Sequence, residues 1–234
     1  MSNYFNEKNI TRFISISFIA SIVFIVIRII IAPVTAPPSD VIIRVKGDYA
    51  LLLFKCTAGL VALNIPRWLR QKFGLNIPSV MIIVYVVFLY CGIYLGEFRN
   101  FYYLIPHWDT ILHIFSGVTL GALGFSIVSL LNKSESVAFS LSPVFVALFS
   151  FCFALSLGVI WEFFEFAMDC LADGNSQRNA LESGELLIGQ AALMDTMKDL
   201  IVDAAGAFVM STIGFISLKY DKNWLVKLQV KKAA

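Results

Sequence analysis

Charge and histidine are scarce in this chain. Asp, Glu, Lys and Arg make up 15% of the 234 residues, and there are two histidines. A soluble domain would carry roughly a quarter charged residues. Hydrophobic residues reach 59%, and the mean hydropathy is +0.80. The composition therefore excludes an ordinary soluble domain, and the net charge of +2 is too small to indicate a nucleic-acid partner.

Several motifs that carry chemistry are also missing. The four cysteines have no C-x-x-C or other ligand spacing, which argues against a thiolate metal site. The chain has no G-x-S-x-G sequence and no glycine-rich phosphate loop, so neither common signature of nucleophilic or nucleotide chemistry is present. The acidic residues and histidines are therefore the candidate functional groups.

Apolar runs long enough to cross a bilayer recur along the chain, since a transmembrane helix needs roughly 20 apolar residues. The predicted spans are residues 11–32, 48–65, 79–96, 107–131, 140–170 and 195–218. We predict an all-α, polytopic membrane protein in which six transmembrane helices form one bundle. Residues 1–234 are predicted to be a single integral membrane domain.

The distribution of Lys and Arg predicts the orientation. If the N-terminus is cytoplasmic, eleven of the eighteen basic residues lie in inner segments and four lie in outer loops, namely Arg44, Lys46, Arg99 and Arg178. Cytoplasmic segments carry the excess of basic residues in membrane proteins. Both termini are therefore predicted to be cytoplasmic, which places the start of span four, the end of span five and the start of span six outside.

Those three helix ends carry nine polar residues. They are His107, Asp109 and His113 in span four, Glu162, Glu165 and Asp169 in span five, and Asp195, Asp199 and Asp203 in span six. The i, i+3, i+7 spacing in span five and the i, i+4, i+8 spacing in span six place each acidic set on one helix face. Asp109 and His113 are an i, i+4 pair, whereas His107 points away from both.

Ionised side chains at membrane depth cost roughly +2.5 to 3.5 kcal/mol each near a helix centre. Clustered carboxylates also repel one another unless they are protonated or bind a cation. Carboxylates favour Mg²⁺, Ca²⁺ or Mn²⁺, and an imidazole widens the choice to Zn²⁺ or Fe²⁺. We predict a divalent-metal site formed by all nine residues. Structural ion pairing is the alternative, although Lys198 is the sole cation of these three spans.

Six of the nine residues are predicted to be metal ligands or acid/base groups in catalysis. They are Asp109, His113, Glu162, Glu165, Asp199 and Asp203. The predicted substrate-binding cations are Arg28, Lys55 and Lys198. Arg28 could instead snorkel to the interface, and Lys55 could pair with the acidic cluster or hold a lipid phosphate.

Glycines lie about one helical turn from the polar residues, on the same helix faces, which we call the polar stripes. Gly117 follows His113, Gly158 precedes Glu162 and Gly206 follows Asp203. Small residues at such positions let helices approach closely. The loop over residues 171–194 joins spans five and six, and its Leu-rich second half could form a short interfacial or re-entrant helix. That loop is either a lid over the site or a plain surface loop.

At these residues the chain resembles the YjdF-like membrane proteins of the broader VanZ-like group. The matching motifs are D-x-x-x-H-x-x-x-G at Asp109, His113 and Gly117, the acids Glu162 and Glu165, and D-T-x-x-D with a later G-A at Asp195, Thr196, Asp199, Gly206 and Ala207. The resemblance covers about residues 105–215. Where a Gly-Asp-Pro-Trp-like run is expected before D-T, this chain has GQAALM.

The resemblance implies a small multi-pass protein of the bacterial plasma (inner) membrane with an outward-facing polar site. VanZ-like proteins are linked to glycopeptide resistance and envelope lipids, so the implied substrate is a lipid. The leading hypothesis is a metal site that acts on a membrane lipid or lipid-linked phosphate. The alternatives are a cation- or proton-coupled transporter and a non-catalytic lipid-binding or scaffold protein with a structural metal. Membrane lipids are the predicted partners, and a second copy of the chain is a further candidate.

Overall fold

The computed structural model describes residues 6–35, 44–132, 141–172, 174–181, 184–220, 222 and 224–232. These residues are almost entirely helical. The α-helices are α1 (Glu7–Ile31), α2 (Lys46–Ala62), α3 (Ile65–Phe73), α4 (Ser79–Leu89), α5 (Phe101–Leu104), α6 (Trp108–Asn132), α7 (Pro143–Ala172) and α8 (Gln190–Lys219). A π-helical segment, Tyr90–Phe98, continues α4, and Val226–Leu228 is one 3-10 turn. The strands β1 (Leu75–Asn76) and β2 (Lys231–Lys232) have two residues each.

Six helical stretches of the described chain are long and apolar enough to cross a membrane. They are Glu7–Ile31, Lys46–Phe73, Ser79–Phe98, Trp108–Asn132, Pro143–Leu171 and Gln190–Lys219. Large apolar side chains cover their surfaces, such as Ile30 at 73% and Phe163 at 66% exposure, as a lipid-facing surface requires. The prediction of an all-α, polytopic membrane protein is confirmed. The cytoplasmic position of both termini stays a prediction.

The second span continues past its predicted end. Helix α2 ends at Ala62 and α3 begins at Ile65, with Pro66 in its first turn. Proline is tolerated there because the first turn of a helix leaves its N–H groups unpaired. Gly74, at φ 61, ends α3 in the left-handed conformation that glycine adopts without strain.

The separate short helix considered for the second half of the 171–194 loop is absent from residues 184–189, which are not helical. Residues 190–194 form the start of α8, which begins at Gln190, five residues before the predicted start of span six. An isolated antiparallel bridge joins Ala180 and Leu186. The side chain of Asn175 also closes the loop, because its Nδ2 donates to the Ala180 carbonyl (2.8 Å) and its Oδ1 accepts from the Ala180 N–H (3.0 Å).

The chain divides into two compact units. Unit 1 comprises Met1–Leu75 and Ser79–Trp108, and unit 2 comprises Asn76–Pro78 and Asp109–Ala234. In unit 1, α1, α2 and the α4–π segment pack around fully buried side chains such as Phe18, Ile25 and Val86. In unit 2, α6, α7 and α8 pack together around a separate apolar cluster. Its members are Ala122, Phe125, Val128, Val146, Met210 and Leu225.

The two intramembrane cations of unit 1 have protein partners. Lys55 Nζ lies 2.6 Å from Glu97 Oε1, and Arg28 Nε donates to the Tyr49 hydroxyl at 3.0 Å. The Arg28 guanidinium also stacks over the Tyr49 ring, 5.4 Å from its centroid. Each cation is therefore stabilised inside unit 1, and contact with a substrate stays a prediction for both.

The Lys55–Glu97 pair gives a first testable prediction. Replacing Glu97 by Gln leaves a half-buried ammonium without its counter-ion, so we expect a lower Tm in detergent. The expected loss is about 1–2 kcal/mol, below the ~3–5 kcal/mol typical of a fully buried pair, because the Lys55 and Glu97 side chains are 15% and 31% exposed. Thermal unfolding measures it. The double variant K55M/E97Q should recover part of the loss, and additive losses would show that the pair does not couple.

Candidate functional site

His113 lies at the centre of a buried polar cluster in unit 2. His113 is 6% exposed, and each of its two ring nitrogens faces a carboxylate. Nδ1 is 3.1 Å from Asp203 Oδ2. Nε2 is 3.7 Å from Asp109 Oδ1 and 3.9 Å from Asp199 Oδ2. The imidazole therefore joins acids of two helices, α6 and α8.

Helical spacing and two glycines bring these groups together. Asp109 and His113 share one face of α6 and Asp199 and Asp203 share one face of α8, because residues four apart lie one above the other. A Cβ atom built on Gly117 of α6 would collide with the Asp203 carbonyl oxygen. The two backbones therefore meet directly at this glycine, so that the polar faces of α6 and α8 are in contact.

Two further glycines, on α8 and α7, lie in equally close contacts. A Cβ on Gly206 of α8 would lie 2.5 Å from the Ile114 carbonyl oxygen, and a Cβ on Gly158 of α7 would lie 2.6 Å from Asp203 Oδ2. The predicted close approach at the glycine stripes is thus present at all three positions. Glu162 follows Gly158 by one turn on the same face of α7, which directs its side chain toward the cluster.

Asp203 orients the imidazole. The Ser116 hydroxyl lies 2.7 Å from Asp203 Oδ1, and His113 Nδ1 lies 3.1 Å from Asp203 Oδ2, so both oxygens of the Asp203 carboxylate have a partner. In the neutral tautomer with the proton on Nδ1, this nitrogen donates to Asp203 and the Nε2 lone pair faces Asp109 and Asp199. This arrangement is not a nucleophilic triad, since Ser116 contacts the acid and not an imidazole nitrogen.

Three of these residues meet the geometry of a metal site. Asp109, His113 and Asp199 each offer one ligand atom, and the three atoms lie within 4.8 Å of one another. Asp199 is 1% exposed, and its Oδ1 has no hydrogen-bond partner among the described residues. Glu162 is 4% exposed, and neither of its carboxylate oxygens has one there. Unpaired buried carboxylates are costly, and a cation bound between them would remove the cost.

A loop supplies a cation that the sequence analysis did not place in the site. Arg178 NH2 lies 3.6 Å from Asp109 Oδ2, and its NH1 lies 3.8 Å from Asp195 Oδ1. Sequence reasoning treated Arg178 as an outer-loop topology signal. One feature of the sequence could have indicated a role in the site: Arg178 is the sole basic residue between the two acidic helices. Nothing local in the sequence shows that the loop folds back over those helices.

Asp169 stabilises this loop. Its Oδ1 accepts from the Ser176 N–H at 2.7 Å, and its Oδ2 accepts from the Gln177 N–H at 2.9 Å. Both carboxylate oxygens are therefore used in backbone hydrogen bonds near the end of α7. The Gln177 side chain then donates to Thr196 Oγ1 of α8 at 2.9 Å, so the loop is bound to both helices that it connects.

The remaining predicted site residues have other surroundings. His107 is exposed, with φ 60, and precedes α6; it belongs to unit 1, whereas His113 belongs to unit 2. Glu165 is half-buried and accepts from Trp161 Nε1 at 3.0 Å. Asp195 contacts Arg178, as described above, and Lys198 lies half-buried three residues further along α8.

A second prediction concerns Asp203. Replacing it by Asn removes the carboxylate that fixes the His113 tautomer, so we expect divalent-metal affinity to fall by ~10–100-fold, as for other outer partners of metal-binding histidines. Titration of the chelator-treated protein with Mn²⁺ measures the change. Ser116→Ala should have a smaller effect, because it removes one contact to Asp203 and leaves the carboxylate. Unchanged affinity in Asp203→Asn would contradict this role.

The described residues form six helices that are long and apolar enough to cross a membrane, and acids gather around one buried histidine. These features are those of a polytopic membrane protein with a buried acid–histidine cluster. The family described as "Predicted membrane protein (DUF2238)" matches residues 13–220. The chain belongs to this family.

One relative adds a partial match. A protein of Thermotoga maritima, described as "Uncharacterized protein", is 33% identical over 120 residues, which are 51% of this chain and 53% of that protein. The chain thus matches about half the length of this relative. No solved structure matches the chain.

Proposed function

We propose that unit 2 binds one divalent metal ion and uses it on a membrane lipid or lipid-linked phosphate of the bacterial cell envelope. The observation that carries the proposal is the convergence of Asp109, His113 and Asp199 within 4.8 Å. The unpartnered buried oxygens of Glu162 and Asp199 support it independently. Carboxylates outnumber cationic groups in this cluster, so a bound cation balances the charge.

Each residue then has a distinct role. His113, Asp109 and Asp199 hold the metal, and Glu162 serves as a further ligand or as the acid/base group. Asp203 orients His113. Glu165 and Asp195 belong to the outer part of the site. Asp169 falls outside the ligand set because both its carboxylate oxygens accept loop N–H groups, and His107 falls outside it because it is exposed. A bound divalent metal supplies a Lewis acid for a phosphoryl or acyl oxygen, or lowers the pKa of a water molecule.

The membrane setting supports a lipid substrate. The cluster is built from helices that are apolar enough to span a bilayer, so an amphiphile reaches it without leaving the membrane. The resemblance of the motifs to the YjdF-like and VanZ-like proteins supports an envelope lipid and the bacterial plasma membrane, by analogy of site and not of fold alone. Among the predicted substrate-binding cations, Lys198 lies on the same helix as Asp199.

The experiment is elemental analysis together with a turnover assay. Wild-type protein, His113→Ala and the matched control His107→Ala are purified in mild detergent without chelators. The metal content per chain is measured, followed by release of phosphate or headgroup from envelope lipids. We expect near-stoichiometric metal and metal-dependent turnover in wild type and His107→Ala, and neither in His113→Ala. Well-folded wild type without metal would overturn the proposal.

The same preparation separates the two alternatives. A scaffold protein would hold metal without turnover, and its His113→Ala variant would lose thermal stability alone. A coupled transporter would acidify proteoliposomes that contain a pH-sensitive dye. The apolar cluster around Phe125 and Met210, to which α6, α7 and α8 all contribute, favours a closed site over a polar path through unit 2.

A further inference from the structure

Arg178 sits beside the candidate metal ligands. The two oxygens of Asp109 face different partners: Oδ1 faces His113 Nε2 at 3.7 Å, and Oδ2 faces Arg178 NH2 at 3.6 Å. One carboxylate group therefore separates the guanidinium from the proposed metal. The distances from Arg178 to Asp109 and Asp195, 3.6 and 3.8 Å, exceed the roughly 2.7–2.9 Å of a tight charge-assisted hydrogen bond. The contacts are loose ion pairs.

The loop holds Arg178 in place through its backbone. Arg178 has φ 47, a left-handed conformation that is uncommon for a residue with a side chain. The N–H groups of the two preceding residues, Ser176 and Gln177, are bound by the Asp169 carboxylate, and the Gln177 side chain is bound to Thr196. Three contacts to two helices, α7 and α8, thus position the loop next to Arg178, whose guanidinium is partly exposed at 38% and lies near the acids.

We propose that Arg178 is the phosphate-binding residue of this site, so that its guanidinium and the metal ion hold one phosphate group from two sides. The inference rests on the proposed function, because the metal supplies the second contact. A guanidinium presents a planar fork of N–H donors that matches two phosphate oxygens. A bound phosphate would accept from the guanidinium donors that face Asp109 and Asp195 at 3.6 and 3.8 Å.

The flank of the loop favours a phosphate that is carried by a lipid. Leu186 and Ile188, which follow Arg178 in the same loop, are 70% and 88% exposed, and Leu171 at the end of α7 is 86% exposed. Contact with acyl chains removes such apolar side chains from water, which lowers the free energy. A phosphate monoester or diester headgroup would then lie at Arg178 while its chains contact the apolar flank. A soluble phosphate compound shares the headgroup chemistry and is separated from a lipid by experiment.

The test uses the full-length, Mn²⁺-loaded protein in detergent and three probes. These are dioctanoyl phosphatidic acid, inorganic phosphate, and dioctanoylglycerol as the lipid without a phosphate. Binding is measured by calorimetry for wild type, Arg178→Gln, Arg178→Lys and Arg67→Gln, in which an exposed arginine of α3 serves as the matched control. Metal content is measured for every sample.

We expect Arg178→Gln to keep its metal and to lose about 10-fold or more in affinity for the phosphate-bearing probes, since hydrogen bonds to charged groups are the strong ones. Arg178→Lys should retain part of the affinity, because it keeps the charge without the planar fork, and Arg67→Gln should match wild type. Tighter binding of phosphatidic acid than of inorganic phosphate assigns a lipid ligand, and the reverse assigns a soluble one.

Two results would overturn the inference while the metal site stands: metal-loaded Arg178→Gln that binds the phosphate probes as wild type does, or dioctanoylglycerol that binds as tightly as phosphatidic acid. Wild type without metal is a different failure, since it removes the proposed function and this inference with it. Metal content thus distinguishes the two failures in every sample.

Discussion

Replacing Asp199 by Asn should abolish divalent-metal binding and leave the protein folded. Asp199 is 1% exposed, and its Oδ2 faces His113 Nε2 at 3.9 Å. The amide keeps the shape of the side chain and removes the charge that holds the cation. We expect affinity to fall by more than ~100-fold, because even outer partners of metal ligands typically contribute 10–100-fold. Elemental analysis and Mn²⁺ titration measure the loss.

A thermal signature separates this result from simple misfolding. Wild type should show a metal-dependent rise in Tm, since a ligand present at 100 times its Kd stabilises the folded state by about 2.7 kcal/mol. Asp199→Asn should lose this rise, while its chelator-treated form should be at least as stable as chelator-treated wild type, because one repelling charge has gone. Glu185→Gln, an exposed acid of the loop, is the matched control. A metal-induced rise that persists in Asp199→Asn would remove Asp199 from the ligand set.

Replacing Gly117 by Ala should disrupt both the fold of unit 2 and its site. The added Cβ would collide with the Asp203 carbonyl oxygen, and a backbone atom cannot move away as the end of a flexible side chain can. Helices α6 and α8 must therefore separate, at a cost of roughly 1–3 kcal/mol for overpacking. The His113–Asp203 hydrogen bond crosses the same contact, so we expect metal affinity to fall together with Tm.

Gly47→Ala is the matched control. A Cβ at Gly47 of α2 meets nothing within 4 Å, so the same substitution there should raise stability by ~0.4–1 kcal/mol through the unfolded state. Thermal unfolding in detergent compares the two variants under one condition. If Gly117→Ala unfolds at the wild-type temperature and binds metal normally, then the close approach of α6 and α8 is not what builds the site.

Much of the fold was predictable because a bilayer imposes length and apolarity on every span. Long apolar runs fixed the six helices, and the errors lie where that constraint ends. Helix α8 starts five residues early, at Gln190. The loop before it is held by Asn175 and Asp169, whose side chains bind backbone groups several residues away. Such contacts depend on tertiary structure and leave no periodic signal.

The centre of the site was predictable from spacing. Pairs four residues apart place Asp109 with His113, and Asp199 with Asp203, on single helix faces, and the glycines of the same stripes indicate which faces meet. Helical period alone could not separate Asp169 from the cluster, because at a helix end a carboxylate can bind loop N–H groups instead. It also could not find Arg178, whose position depends on the path of a loop, or Glu97, which lies in a π-helical turn.

The central claim is that one histidine and its neighbouring acids hold a metal, and pulsed electron paramagnetic resonance on Mn²⁺-loaded protein tests it most directly. We expect one Mn²⁺ per chain, coupled to a single imidazole nitrogen. That coupling should persist in His107→Ala and be lost in His113→Ala. Mn²⁺ bound without nitrogen coupling in wild type, or with unchanged coupling in His113→Ala, would contradict a metal site at His113.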